Sequence, residues 1–362
     1  MKMTDAFNSK AIAAVFTETA SNKIAYLGAG LFPAKKKAGL DLKWIKGSKG
    51  LPVSLAPSAF DTVSTIRSRQ GIAITDTEMA FFKESMLLKE QDEQDIMRVQ
   101  DSADPFAKEV IDRIYNDAVT LVEGAEVVPE RMRMQLISSA HYESSQSKAV
   151  GPSISIAANG ATYAYNYDAD GSYASNNFMR LTENNVWSDT VNSDPMNDVM
   201  QAQDAVEEAT GSRPEIMIIS KQTMEYLKKN ANVRSYILAQ NTTANVIITD
   251  ARVKAIFSEE LGVSIIVYTK KYKDENGTVQ SFFPDGKAAL IPSGALGSTW
   301  FGMTPDERTG VNDKSKDVTI VNTGVAVAVK ITDDPVQTKT TVSEIVLPSF
   351  ERMDETFQIE CY

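Results

Sequence analysis

His141 is the only histidine and Cys361 the only cysteine among 362 residues. That scarcity closes most nucleophile–base pairs and most zinc sites, which draw on several such side chains. It also rules out an internal disulfide, so the fold requires no oxidising compartment. His141 follows an apolar helical run and reads as an ordinary polar residue rather than a general base. Cys361 reads as a packing residue of a final strand. Gly28-Ala29-Gly30 opens like a dinucleotide fingerprint, but Pro33 occupies the third glycine position and the motif fails. In "NYDADGSYASNN" (166–177), Asp168, Asp170 and Gly171 stand at calcium-loop spacing. Asn166 and Asn177 hold its first and twelfth positions, so the bidentate carboxylate is missing and a turn is the better reading. The carboxylates of "KEQDEQD" (89–95) read as a solvated helix face. Met132 and Met134, flanking Arg133, read as packing residues. No Walker-type loop is present. The sequence therefore predicts no catalytic, cofactor-binding or metal site, and no cofactor.

Composition points the same way. An apolar fraction of 43% and a charged fraction of 23% supply a sizeable core, and the length suits two or three packing units. The net charge of −11 opposes a role in gripping nucleic acid. Residues 1–50 hold nine lysines against Asp5, Glu18 and Asp41, a net of +6, which leaves −17 on the rest. A basic front on an acidic body suits nucleic acid, an acidic membrane or the acidic face of another copy. The lysines sit among strand-patterned apolar residues, which favours the copy. "AIAAVF" is too short for a signal segment and no run is long enough to span a membrane, so a soluble intracellular product is expected.

The elements implied are mixed, an α+β chain. Residues 4–20 read as an amphipathic helix with Phe7, Ala11, Ile12, Val15 and Phe16 on one face. Residues 27–37 read as a loop. In "GLDLKWIKGSKGLPVSL" (39–55), Leu40, Leu42 and Trp44 alternate with polar neighbours, as do Leu51 and Val53 beyond Gly47-Ser48. That is a hairpin, and Lys43, Lys46, Lys49 and Pro52 mark it as an edge ribbon needing a partner. Residues 77–100 read as helical. Asp104-Pro105 caps a helix over 105–123, whose stripe includes Phe106, Val110, Ile114 and Leu121; Gly124 stops it and Pro129 starts another. Strands fill 152–171, and Asp194-Pro195 opens a helix closed by Gly211. A βαβ-like run follows: strand 215–220, helices over 221–240, strand "NVIITD" (245–250), helix 250–261 and strand 263–272, with Asn276-Gly277 as a hairpin turn. The tail is β-rich.

In order and spacing, several stretches resemble the tailed-phage major capsid protein E family, related to the lambda-type capsid protein. They are "LGAGLFPAKKKAGLDLKWIKGSKGLPVSL" and its continuation to 85, "IYNDAVTLVEGAEVVPERMRMQLI", "IPSGALGSTWFGMTPDE" and "VSEIVLPSFERMDETFQIECY". The resemblance implies a Hong Kong 97-like capsid fold and a shell enclosing the genome of a tailed phage or prophage. It implies an N-terminal arm (1–30), an extended loop (31–85), a peripheral domain with a spine helix (86–190), an axial α/β domain (191–317) and return strands (318–362). Leu40, Leu42, Lys43, Trp44, Lys46, Lys49, Leu51 and Val53 would then contact a neighbouring subunit, and Phe106, Val110, Ile114 and Leu121 would pack the spine helix. Partners would be copies of the chain in hexamers and pentamers, a portal, a decoration protein, and double-stranded DNA enclosed without sequence preference, with no membrane. Only about 25 residues precede "GAGLFP", so a separate scaffolding protein is expected; assembly would occur in the bacterial cytoplasm and the product would reside in the virion. A cellular nanocompartment shell is the alternative within the fold. An α/β metabolite-binding enzyme over 215–272 is the alternative outside it, though no glycine-rich loop follows its strands.

Overall fold

The computed structural model describes residues 8–20, 25–46, 73–90, 94, 106–158, 161–238, 247–313, 317–333 and 336–362. The chain divides into two compact units. The first holds Met1–Lys43, Asp76–Met132 and Ser298–Ser349; the second holds Trp44–Thr75, Arg133–Gly297 and Phe350–Tyr362.

A single long strand, Val336–Ser349, organises the six-stranded sheet of the first unit. It pairs antiparallel with Ala80–Leu88, Val325–Asp333 and Ser298–Phe301. Asp317–Val321 extends the sheet from Val325–Asp333, and Ala34–Lys36 adds in parallel to Ser298–Phe301. Val327 and Val342 are register partners, so their β-branched side chains share a face. With Val321 and Val325 they form an apolar cluster with Ile12 and Phe16 of helix Ser9–Ala20 and with Val119, Leu121 and Val122 of a long helix. Each such side chain, fully buried, stabilises by ~1.5–3 kcal/mol. Asp317 fixes the shorter helix, accepting the Ser9 N–H at 2.6 Å where the helix dipole favours a carboxylate.

Three expectations fail in this unit. Residues 27–37 hold a short helix, Leu27–Leu31, and the strand Ala34–Lys36 rather than a plain loop. Ala80–Leu88 is a strand, not a helix, because the central strand takes its backbone groups from Val346↔Ala80 to Thr338↔Leu88. Helix propensity in "KESMLL" amounts to tenths of a kcal/mol per residue, less than a complete ladder is worth. The long helix also ignores both of its expected breaks. It runs unbroken through Phe106–Ser138, with Pro129 inside it. Gly124 and Pro129 cost ~1 and ~3 kcal/mol relative to alanine. Beyond them Met132, Met134, Leu136 and Ile137 are all buried, and that burial outweighs the cost. With 33 residues the helix is about 50 Å long.

The second unit carries a five-stranded sheet ordered Ser264–Val267, Ile216–Ile219, Lys287–Ile291, Phe357–Glu360, Phe178–Arg180. The first two strands are parallel, joined by a crossover containing helices Lys221–Lys229, Ala231–Leu238 and Asp250–Leu261. "NVIITD" supplies no described strand to this crossover: residues 247–249 are irregular and Ile247 is 87% exposed. Helix Pro195–Thr210 starts where Asp194 accepts the Asn197 N–H and ends at Gly211, whose φ of 74° suits only glycine comfortably. Trp187, Val199, Leu227, Phe257 and Leu290 form part of one buried cluster beside the sheet. Two hairpins stand apart from it, Ser153–Ala158 with Ala161–Asn166 and Lys271–Lys273 with Val279–Ser281. The chain's last strand, Phe357–Glu360, pairs with Lys287–Ile291. Residues 318–349 thus belong to the first unit, while 350–362 complete the second unit's sheet.

Val122 has no exposed surface within its apolar cluster, so Val122→Asp should bury an unpaired charge and destabilise by on the order of 3 kcal/mol or more. Thermal denaturation followed by circular dichroism measures this. An unchanged melting temperature would mean that the stripe of the long helix does not hold this sheet.

Candidate assembly surface

The lysine-bearing ribbon is built from Asp41–Lys46 and Ala73–Glu78, which pair as a two-stranded sheet. The strand expected at 51–55 lies within 47–72, outside the described residues, and so do Lys49, Leu51 and Val53. At the foot of the ribbon the Met79 N–H donates to the Leu40 carbonyl at 2.9 Å. Leu40 is 47% exposed and Lys43 is also exposed. Leu42, by contrast, is 1% exposed. It packs within its own chain, since alternation predicts a shared face but not what covers each position. Trp44 and Lys46 lie on the strand, and their side chains fall outside the described residues.

The lysines before the ribbon are engaged within the chain. Lys35 Nζ stands 5.3 Å from the Trp300 ring centre, Lys36 Nζ lies 2.5 Å from Glu307 Oε1, and Lys37 Nζ donates to the Asp41 carbonyl at 2.7 Å. Beyond the ribbon, Ala80–Leu88 pairs along one edge only among the described residues. Met86 and Leu87 near its end are exposed, as is Ile331 across the sheet. On the long helix, Leu121 is buried in the first unit's cluster; Phe106, Val110 and Ile114 lie on the same helix with side chains outside the described residues.

The residues read for chemistry are occupied with structure. His141 Nδ1 lies 2.9 Å from the Ser139 carbonyl and its Nε2 3.9 Å from Glu143. Cys361 is buried, and burial pushes its thiol well above the usual range. Asp168 is buried and accepts the N–H groups of Tyr173 and Ala174, both at 2.9 Å, so it caps the turn that follows. Asp170 accepts from the Ser172 hydroxyl at 2.9 Å, and Asn177 donates to the Asp354 and Thr356 carbonyls. The apparent calcium loop is a turn that caps itself. Among the described residues no group of His, Cys, Asp and Glu could hold a metal, and no helix is long and apolar enough to cross a membrane.

A groove of about 490 Å³ opens at the C-terminal ends of the two parallel strands, lined among others by Ser220, Lys221, Tyr226, Tyr268 and Lys271. Open α/β sheets hold ligands at such a place. Here Ser220 leads straight into helix Lys221–Lys229, accepting the Thr223 N–H, so no glycine-rich phosphate cradle intervenes. Nearby in the second unit, burial lowers the basicity of Lys287, while its bond to Glu360 at 3.0 Å acts in the opposite sense. That pair is inward-facing and structural. The sequence reading missed Asp306 and Glu307. "TPDE" (304–307) is a legible helix start, with Thr304 as cap and Pro305 at the first turn. The lysines these carboxylates meet lie 271 and 223 residues away and leave no local signal.

The family described as phage major capsid protein E matches residues 9–360. Among solved structures, the chain is similar to a protein assigned as the capsid protein of a prophage in E. coli CFT073, with a TM-score of 0.59 at 15% identity, covering 98% of this chain and 99% of that one. It is also similar to a phage-related protein from Bordetella bronchiseptica RB50, with a TM-score of 0.55 at 14% identity over 96% of both chains. No curated protein sequence matches the chain.

Asp168→Ala should cost about 1–3 kcal/mol by orphaning two buried N–H groups, and Asp170→Ala no more than about 0.5 kcal/mol. Calcium should leave the melting temperature of the native chain unchanged. A calcium-dependent rise that the Asp168→Asn, Asp170→Asn double variant abolishes would reveal a metal site instead.

Proposed function

The chain belongs to the phage major capsid protein E family, and we propose that it self-assembles, as hexamers and pentamers, into the icosahedral shell around the double-stranded DNA of a tailed bacteriophage or prophage. It is a capsid-forming structural protein with an α+β capsid fold. The observation that carries the proposal is the family match over residues 9–360, nearly the whole chain.

In this reading the helix Phe106–Ser138 is the spine helix, the first unit's sheet is the peripheral domain, and the second unit's five-stranded sheet belongs to the axial domain. Residues 1–30 form the N-terminal arm and the ribbon of Asp41–Lys46 and Ala73–Glu78 the extended loop. A shell needs many repeated contacts, each weak enough to be corrected, and a ribbon reaching to a neighbour multiplies contact area without enlarging the core. Leu40, Lys43, Trp44, Lys46, Lys49, Leu51 and Val53 are the ribbon residues proposed to make that contact. The net charge of −11 suits a container from which DNA must later leave, since a basic lining would hold it. A separate scaffolding protein, a portal and a decoration protein complete the proposed set of partners. Assembly takes place in the host cytoplasm and the product is the virion capsid.

Reversing Lys43, Lys46 and Lys49 to Glu together should lower shell yield at low salt, because like charges then face an acidic neighbour. Added salt should partly restore the yield as the screening length falls from about 30 Å at 0.01 M to about 8 Å at 0.15 M. Sedimentation across a salt series measures it. Normal assembly of the triple variant at low salt would reduce these lysines to a solubilising role.

A further inference from the structure

Both limbs of the ribbon carry a lysine held by the same turn of helix. Lys36 stands five residues before the strand Asp41–Lys46, and Lys83 five residues after the strand Ala73–Glu78. Lys36 Nζ lies 2.5 Å from Glu307 Oε1. Lys83 Nζ lies 3.0 Å from Asp306 Oδ2 and 3.1 Å from its Oδ1. The two carboxylates are adjacent in the first turn of helix Pro305–Asn312, where the Thr304 hydroxyl accepts the Glu307 N–H and the helix dipole favours negative charge. Asp306 Oδ2 also accepts the Ser343 hydroxyl at 2.7 Å, which ties the turn to the central strand. Gly302, just before this turn, is needed for the close fit. A Cβ there would stand 2.7 Å from Ile345 Cγ2 and 3.0 Å from Met79 Cε, so those side chains would have to shift.

The two ion pairs differ in weight. The Glu307 side chain is 5% exposed and that of Lys36 33%. A carboxylate so enclosed requires a cation, and the second Glu307 oxygen, also buried, makes no hydrogen bond among the described residues. Lys36 is therefore the group that offsets the burial of Glu307. Lys83 and Asp306 are more exposed, so their pair contributes alignment more than energy.

We propose that Asp306 and Glu307 are positioning residues. They form a two-carboxylate clamp that fixes the spacing of the ribbon's limbs at its base, so that the ribbon is presented to a neighbouring copy in one conformation. The second half of this statement rests on reading the ribbon as the assembly contact; the clamp itself does not.

Hydrogen exchange by mass spectrometry on the full chain tests the clamp, with shell yield measured in parallel. Lys36→Glu and Glu307→Gln should each speed exchange of the amides in 41–46 and 73–78 by about tenfold or more, the loss of one charge-assisted hydrogen bond. The central strand Val336–Ser349 should keep its protection. The exchange of charges, Lys36→Glu with Glu307→Lys, should restore protection in the ribbon and recover shell yield. Unchanged ribbon exchange in both single variants would overturn the clamp. So would equal loosening of ribbon and central strand without rescue by the exchanged pair, because the contact would then be general support for the fold. Loosened ribbon amides with undiminished shell yield would uphold the clamp and count against the ribbon as the assembly contact.

Discussion

The antiparallel ladder along Val336–Ser349 is the constraint on which the first unit depends. One strand of 14 residues satisfies the backbone of three others, and its register decides which of their side chains meet the helices. A slip of the central strand by one residue would carry Val342 away from its partner Val327 and out of the cluster that holds Ile12, Phe16 and Val122. The same ladder recruits Ala80–Leu88, and through it the returning limb of the ribbon acquires a fixed origin. Ser343 of the central strand then binds Asp306, so the turn that holds Lys36 and Lys83 is itself aligned by the ladder. Sheet register, helix packing and the base of the ribbon are consequences of one pairing.

The second unit rests on different physics. Its parallel pair needs a long crossover, which the three helices after Ile219 include, and its antiparallel strands are gathered from positions far apart in the chain. Phe357–Glu360 joins Lys287–Ile291 to Phe178–Arg180, so the end of the chain stitches segments that share no local sequence. Buried polar groups are met one by one. Asn230 donates to the Ser193 carbonyl and hydroxyl, and Gln358 Nε2 donates to the Leu136 carbonyl while its Oε1 accepts the Ala140 N–H. Such satisfaction favours a single packed arrangement of this unit.

Local signals in the sequence were read correctly where the structure is decided locally. Asp194-Pro195 and Gly211 bound their helix, and Asn276-Gly277 lies in the turn between the paired strands Lys271–Lys273 and Val279–Ser281. The misreadings occur where a distant partner decides. "EMAFFKESMLL" has a helix former's composition and becomes a strand because residues 338–346 pair with it. Gly124 and Pro129 are stop signals in any isolated peptide, and buried Met132, Met134 and Leu136 override them. The burial of Leu42 carried no signal either, because alternation shows which face a side chain joins but not what covers that face. The clamp at Asp306 and Glu307 was invisible for the same reason, since opposite charges more than 200 residues apart carry no mark of their pairing.

The capsid family makes this chain a capsid-forming structural protein, and the proposal is that it assembles with copies of itself. Residues that would signal catalysis in another chain serve here as caps, packing groups and turn closures. Electron microscopy of the purified full chain, expressed alone and together with a scaffolding protein, tests that claim most directly. Closed shells of uniform diameter are expected in at least one of the two preparations. A well-behaved monomer or dimer in both, across protein concentration and salt, would contradict it.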